Sequence, residues 1–140
     1  MAIDTVEALG RVPLLAGLDR KELGRLADSF TDRAFPAGKV VVKQGDQRGI
    51  GFFVITEGTA RVSADGKDLA VLGPGDHFGE IALVGDRVRT ATVTAETDLQ
   101  TLVTTVWEFR GFVKTHPDAA WKLLEHLVGL LAEKKGSEPA

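Results

Sequence analysis

The placement of glycine constrains the fold of this chain more than any other feature of its sequence. Nine of the 16 glycines lie between Gly45 and Gly85. They separate short apolar segments rich in β-branched and aromatic residues: 40–42, 52–55, 60–62, 69–72, 90–95 and 99–103. Many short strands separated by frequent turns indicate a β-sandwich or a β-barrel, here with about eight strands.

Both ends of the chain have helical patterns. Asp19 is a typical N-cap for a helix over 20–30, in which Leu23, Leu26 and Phe30 recur at helical spacing. An earlier helical turn over 5–11 should stop before Pro13, since proline cannot continue a helix. After the strands, the sequence predicts a helix over 107–114 and a longer one from Pro117 to about residue 135.

The dipeptide Asp65-Gly66 predicts a two-residue hairpin turn, because both residues tolerate a positive φ. A regular ladder from this turn would place Val62 directly opposite Leu69. The next pair on the same face would be Ala60 and Val71. We expect this face to point inward.

Composition limits the class of protein. A chain of 140 residues is long enough for one domain, so we expect a single domain over 1–140. There is no cysteine, which excludes disulfides and thiolate metal sites, and the net charge of −3 does not favour nucleic acid. The apolar runs are shorter than the ~18 residues of a membrane span. The N-terminus carries Asp4 and Glu7 and lacks the basic start of a signal peptide, so we expect a cytoplasmic protein.

The segment 73–93 contains the residues best suited to ligand chemistry. Its glycines lead into a predicted short helical turn beginning at Gly79, where unpaired N–H groups would suit an anion and the missing Cβ allows close approach. Ten residues later, Arg89 offers a planar fork that matches phosphate oxygens. Glu80 would repel a phosphate but could accept from sugar hydroxyls. These features together indicate a phosphorylated sugar, and therefore a nucleotide.

Residues 78–93 closely resemble the phosphate-binding cassette of cyclic nucleotide-binding domains, the family of the catabolite activator protein, kinase regulatory subunits and cyclic nucleotide-gated channels. Further matches follow the family's order along the chain: 13–18, Gly45-Asp46, 53–55, Gly58, 73–76 and His116-Pro117. The resemblance implies a double-stranded β-helix, a jelly-roll-like β-roll. Its parts would be N-terminal helices over 1–30, the β-roll over 31–105 with the cassette at 78–93, and C-terminal hinge and lid helices over 106–135.

The resemblance also implies roles for individual residues, with cAMP or cGMP as the ligand. Arg89 would pair with the cyclic phosphate, and Glu80 would accept from the ribose 2′-hydroxyl. Backbone N–H groups would surround the phosphate, namely those of Gly79, Glu80, Ile81, Ala82, Thr90 and Ala91. Val62 and Leu69 match the apolar shelf for the base, and a residue within 130–135 would cap it. Thr90 is a weak indication of cGMP.

The sequence departs from the family pattern at two positions: Val88 stands where many members have proline, and Phe53 replaces a frequent tyrosine. Neither change removes a ligand contact.

Other site types find little support. The three histidines, His77, His116 and His126, are too scattered for a metal cluster. We see no P-loop, dinucleotide fingerprint, nucleophile elbow or acid–base pair, so we expect no catalytic residues and no enzyme. Trp107 and Trp121 are interpreted as packing residues where the helices dock.

The predicted function is a cyclic nucleotide sensor whose C-terminal helices rearrange and signal to an effector protein. The last helix has an apolar stripe, Ala120, Leu124, Leu127 and Leu131, that could pair two chains or pack on the chain's own barrel. The alternative is an interaction or dimerisation domain of the same fold that binds no cyclic nucleotide. Because no basic recognition helix follows, we expect no DNA binding, and the chain could be a stand-alone sensor or a fragment.

Overall fold

The computed structural model describes residues 4–46, 51–79 and 89–134. The helices are α1 (Thr5–Gly10), α2 (Arg20–Ala27), α3 (Val106–Thr115) and α4 (Pro117–Lys134), with a 3-10 turn at Pro13–Leu15. The strands in this part of the chain are β1 (Thr31–Phe35), β2 (Val40–Val42), β3 (Gly51–Glu57), β4 (Ala60–Ala64), β5 (Lys67–Leu72), β6 (His77–Phe78), β7 (Thr92–Ala95) and β8 (Leu99–Thr105).

The strands form two antiparallel sheets, with strand orders β1-β8-β3-β6 and β2-β7-β4-β5. Strands distant in sequence are neighbours in each sheet, as in a jelly roll. The prediction of a mainly β fold with flanking helices is therefore confirmed.

Strand β3 is buried on both faces, which explains its unbroken apolar sequence. Phe52 and Val54 pack into a cluster that contains buried residues from each of the four helices. Phe53 and Ile55 point the other way, into a second cluster between the two sheets. The strand thus joins the helical layer to the β-roll.

The β4–β5 hairpin has the predicted turn but not the predicted register. Asp65 and Gly66 both have a positive φ, 53° and 76°, as a two-residue hairpin turn requires. However, Val62 pairs with Ala70 and not with Leu69, because a β-bulge between Val62 and Ser63 shifts the ladder by one residue on β5.

The bulge also changes which residues of β5 face the inside of the β-roll. Ala60 pairs with Leu72 and not with Val71. Leu72 packs against the inner cluster, whereas Leu69 and Val71 are 61% and 62% exposed. The prediction that Leu69 and Val71 face inward is therefore wrong.

Helix α2 is shorter than predicted and ends at Ala27, where Asp28 begins a tighter turn that carries Phe30 into the core. Its N-terminus is as predicted: Asp19 accepts from the Glu22 N–H at 2.8 Å, and Glu22 completes a capping box. Helices α3 and α4 match their predicted ranges within a residue at the ends that the structure describes.

Helix α4 turns Ala119 and Leu123 into the helical cluster. The apolar stripe of α4 faces outward, with Leu124, Leu127 and Leu131 at 49%, 38% and 53% exposed. Of the two alternatives for this stripe, packing on the chain's own barrel is therefore wrong. The interpretation of Trp107 and Trp121 as packing residues is also wrong, since both are more than 60% exposed. None of the helices in the described ranges is long and apolar enough to cross a membrane.

Candidate functional site

The backbone of Arg89 is fixed on both sides by the turn that follows β2. The Gly45 N–H donates to the Arg89 carbonyl at 2.8 Å, and the Arg89 N–H donates to the Asp46 carbonyl at 3.0 Å. Gly45 has a φ of +85°, a conformation that favours glycine. These bonds fix the position of Arg89 just before β7 begins.

The guanidinium of Arg89 lies against Gly79. Its Nη2 donates to the Gly51 carbonyl at 2.8 Å. A Cβ added at Gly79 would lie 2.5 Å from Arg89 Nη1 and 2.7 Å from the Gly51 oxygen. Since Gly79 also has a φ of +85°, no other residue fits there without strain. The missing Cβ of Gly79 thus makes room for the Arg89 guanidinium, and the predicted approach of an anion to the Gly79 backbone stays a prediction.

The environment of Arg89 is partly desolvated. Burial lowers the pKa of the guanidinium, while the nearby Asp46 carboxylate acts in the opposite direction. The group stays protonated at neutral pH, since arginine does not lose its proton in proteins. Phe53 lies next to Gly51, and its ring stacks on Phe78 with centroids 4.8 Å apart. The positive charge of Arg89 therefore lies close to two stacked phenylalanine rings.

The other predicted site residues fall into three groups. Thr90 is exposed and Ala91 half-buried, and both follow Arg89 directly before β7. Glu80, Ile81 and Ala82 lie outside the described residues, as does the predicted helical turn after Gly79. Val62 is half-buried and Leu69 is exposed, both on the β4–β5 hairpin. Of the predicted residues, the structure brings Arg89 and Gly79 into contact.

Sequence reasoning missed Gln44, which joins the turn after β2 to the β4–β5 hairpin. Its Nε2 donates to Asp65 Oδ1 at 3.0 Å, and its Oε1 accepts from the Asp65 N–H at 2.9 Å. Its own N–H donates to Thr92 Oγ1 at 3.0 Å. The sequence shows a polar residue just before Gly45-Asp46, but it does not reveal the partners of that residue, because they are distant along the chain.

A second contact missed from the sequence connects α4 with α2. Lys122 Nζ lies 2.8 Å from Glu22 Oε1 and 3.7 Å from Asp19 Oδ2. The hydrogen bond to Glu22 is the main reason that the pKa of Lys122 is raised. The hydrogen bond from the Glu22 N–H is the main reason that the pKa of Asp19 is lowered. The N-terminal cap of α2 therefore also binds α4.

Within the described ranges, no group of three or more histidine, aspartate or glutamate side chains is arranged to hold a metal ion.

Comparison with known proteins identifies the family. The family model for the cyclic nucleotide-binding domain matches residues 32–116, more than half of the chain. The cAMP-dependent protein kinase regulatory subunit of Schizosaccharomyces pombe is 42% identical over 93 residues, which cover 66% of this chain and 22% of that protein. Glutaminase 2 of Bradyrhizobium diazoefficiens is 33% identical over 126 residues, covering 90% of this chain and 20% of that protein. The chain thus spans about a fifth of the length of these curated relatives.

A solved structure agrees over nearly all of the chain. The N-terminal domain of a transcriptional regulator from Streptomyces coelicolor A3(2) superposes with a TM-score of 0.85 and 30% identity. The match covers 95% of this chain and 98% of that one. The resemblance noted in the sequence is confirmed: the chain belongs to the cyclic nucleotide-binding domain family.

Proposed function

We propose that this chain is a receptor domain that binds a 3′,5′-cyclic nucleotide, cAMP or cGMP, through Arg89. The observation that carries the proposal is the Arg89 guanidinium held against Gly79, at the start of the segment that resembles the family's cassette. The kinase regulatory subunit that the chain resembles is named for its dependence on cAMP, which supports the ligand class.

The physical argument starts from the charge. Arg89 has five N–H donors, and one nitrogen is bound to the Gly51 carbonyl. Its positive charge is partly desolvated, and an anion beside it would offset that cost. A cyclic phosphate carries one negative charge and oxygen acceptors that match the planar fork. We propose that backbone N–H groups complete the phosphate site, namely those of Gly79, Glu80, Ile81, Ala82, Thr90 and Ala91.

The remaining parts of the ligand would contact the residues around this charge. We propose that Glu80 accepts from the ribose 2′-hydroxyl and that Val62 and Leu69 contact the base. The 61% exposure of Leu69 supports this role, because an exposed apolar side chain is free to pack on a ring. Base preference would depend on Thr90, which is exposed next to Arg89.

We also propose that ligand binding changes the position of α4, which would pass the signal to an effector protein in the cytoplasm. The outward stripe of Leu124, Leu127 and Leu131 supports this, because a rearranged α4 could cover it. The ligand can shift this equilibrium only if it binds one arrangement more tightly than the other. The same stripe could pair two copies of the chain.

We propose a regulatory rather than catalytic role for this domain. The support for this role is that a kinase regulatory subunit is among the relatives. The likeness to a glutaminase covers only 20% of that protein, so it does not bring an enzymatic function to this chain.

The proposal is tested by titrating Arg89→Ala with cAMP and cGMP in a calorimeter. Hydrogen bonds to charged groups contribute about 1.5–3 kcal/mol each, so we expect the dissociation constant to rise at least about 10-fold. Glu80→Ala should weaken binding less, because it removes contacts to a neutral hydroxyl. Arg20→Ala, which removes an exposed arginine of α2, is the control and should bind like the wild type. Wild-type affinity in Arg89→Ala would refute the cassette assignment.

The second candidate function is an interaction domain that binds no nucleotide, which the exposed stripe of α4 favours. It predicts no heat with any cyclic nucleotide and a stable dimer in sedimentation. Under that function, Leu124→Glu would dissociate the dimer, while Arg89→Ala would have no effect.

A further inference from the structure

The turn after β2 contacts both sides of the candidate site, and we infer that the Gln44 side chain is a positioning residue. It fixes the outer end of the β4–β5 hairpin relative to Arg89, and thereby sets the affinity for the base of the ligand. The inference rests on the proposed function, since it concerns how the same site binds a whole cyclic nucleotide.

The main chain of this turn is anchored on the Arg89 side. Gly45 and Asp46 exchange backbone hydrogen bonds with Arg89, at 2.8 Å and 3.0 Å. The Gln44 N–H donates to Thr92 Oγ1 at 3.0 Å, at the first residue of β7. Three consecutive residues are thus bound to the segment that carries the arginine.

The side chain of Gln44 reaches in the other direction, to the hairpin turn. The half-buried amide uses both of its ends: Nε2 donates to Asp65 Oδ1 and Oε1 accepts from the Asp65 N–H. This reciprocal pair fixes both the orientation of the Gln44 amide and the position of the turn.

The hairpin needs this support at its outer end. The ladder between β4 and β7 stops where Ser63 faces Thr92, so residues 64–67 extend beyond it. The bulge at Leu69 lies in the same half of the hairpin and weakens the ladder locally. The Gln44–Asp65 pair joins this end to the turn that holds Arg89.

The Gln44–Asp65 pair should affect a ligand that is long enough to contact both Arg89 and the hairpin. A cyclic nucleotide with its phosphate at Arg89 and its base on Leu69 spans the two sides, so its affinity depends on their separation. Loss of the Gln44 side chain should therefore weaken the base contact. The phosphate contact should remain, because Arg89 is held by Gly45, Asp46 and Gly51 through backbone atoms.

The experiment uses Gln44→Ala, Gln44→Glu and the double variant Gln44→Glu/Asp65→Asn. Gln44→Glu sets a carboxylate against that of Asp65, whereas the double variant restores the pair with donor and acceptor exchanged. Its net charge equals that of the wild type, and asparagine tolerates the φ of 53° at position 65. The ligands are cAMP and ribose 3′,5′-cyclic phosphate, which has no base.

We expect each single variant to weaken cAMP binding about five- to tenfold and the base-free ligand less than about twofold. The double variant should return to within about twofold of the wild type for cAMP. Equal weakening of both ligands, unchanged cAMP binding in the single variants, or no recovery in the double variant would overturn the inference.

A measurement without ligand separates this inference from the proposed function. The Asp65 N–H donates to Gln44, so its hydrogen exchange, followed by NMR, should speed up in Gln44→Ala. If the wild type binds neither ligand, the proposed function fails and the binding role of Gln44 fails with it. If the wild type binds cAMP and Asp65 exchanges equally fast in both proteins, the inference alone fails.

Discussion

The candidate site has a cationic side, around Arg89, and an apolar side, on the β4–β5 hairpin. The two sides differ in how firmly other parts of the chain hold their groups in place. Around Arg89, backbone hydrogen bonds hold the arginine from two sides, and Gly79 and Gly51 fit closely against its guanidinium. On the β4–β5 hairpin, Leu69 is open to solvent, and a bulge interrupts the ladder beside it.

The difference follows from the physical chemistry of the two groups. A charged hydrogen-bonding group needs fixed geometry, because each donor must meet its acceptor at a set distance and angle. An apolar surface needs only to lose contact with water, so it can stay exposed until a ring or a helix covers it. We therefore expect substitutions on the cationic side to have the larger effects on ligand affinity.

The largest effect should come from Gly79→Ala. The new methyl group would meet the Arg89 guanidinium and the Gly51 carbonyl, and the positive φ adds strain of about 1–3 kcal/mol. Because the guanidinium must move, we expect cyclic nucleotide affinity to fall at least about 10-fold in calorimetry, as in Arg89→Ala.

Gly38→Ala is the matched control for that change. Gly38 has a φ of +88°, but no atom lies within 4 Å of an added Cβ. This variant should lose about 1–2 kcal/mol in urea unfolding and keep the wild-type affinity. Equal losses of affinity in the two variants would show that strain, and not the displaced arginine, explains the Gly79 result.

A smaller effect is expected from Leu69→Ala on the apolar side. The side chain is largely exposed, so the free energy of unfolding should change by less than about 0.5 kcal/mol. Affinity should fall about fivefold, since roughly 1 kcal/mol of apolar contact with the base is lost. Val71→Ala, equally exposed on the same strand, is the control and should bind like the wild type. The assignment of Leu69 to the base shelf fails if the two variants bind equally well.

The smallest effect concerns the contact between Asp19, at the cap of α2, and Lys122 of α4. The pKa of Asp19 is lowered in the folded chain, so its contribution to stability is present above its ordinary value of 3.8 and is lost as the pH falls through the folded pKa. Asp19→Asn keeps an N-cap but removes the charge near Lys122. Urea unfolding should show a smaller loss of stability between pH 7 and pH 3 in the variant than in the wild type. Parallel profiles of the two proteins would contradict this contribution from Asp19.

The sequence was most informative where local chemistry decides the structure. Asp65-Gly66 predicted the hairpin turn, Asp19 predicted the start of α2, and the glycines predicted the strand-rich region. Turn chemistry alone could not reveal the bulge at Leu69, which depends on how β5 fits against β4. This is why the pairing of Val62 with Leu69 was wrong.

Contacts between distant segments were also beyond local reasoning. Gln44 and Asp65, or Lys122 and Glu22, meet only because the fold brings their elements together. The exposure of Trp107 and Trp121 contradicted a rule that holds on average for aromatic residues. For Arg89 and Gly79, the family resemblance supplied the position, and the structure supplied the contact between them.

The most direct test of the central claim is calorimetric titration of the wild-type chain with cAMP, cGMP and linear AMP, after checking that no nucleotide co-purified. We predict binding of at least one cyclic nucleotide with a dissociation constant on the order of micromolar, about −8 kcal/mol, and no binding of AMP. The ratio of the two cyclic nucleotide affinities would then define the base preference. No heat with either cyclic nucleotide, from folded and ligand-free protein, would contradict the proposed receptor function.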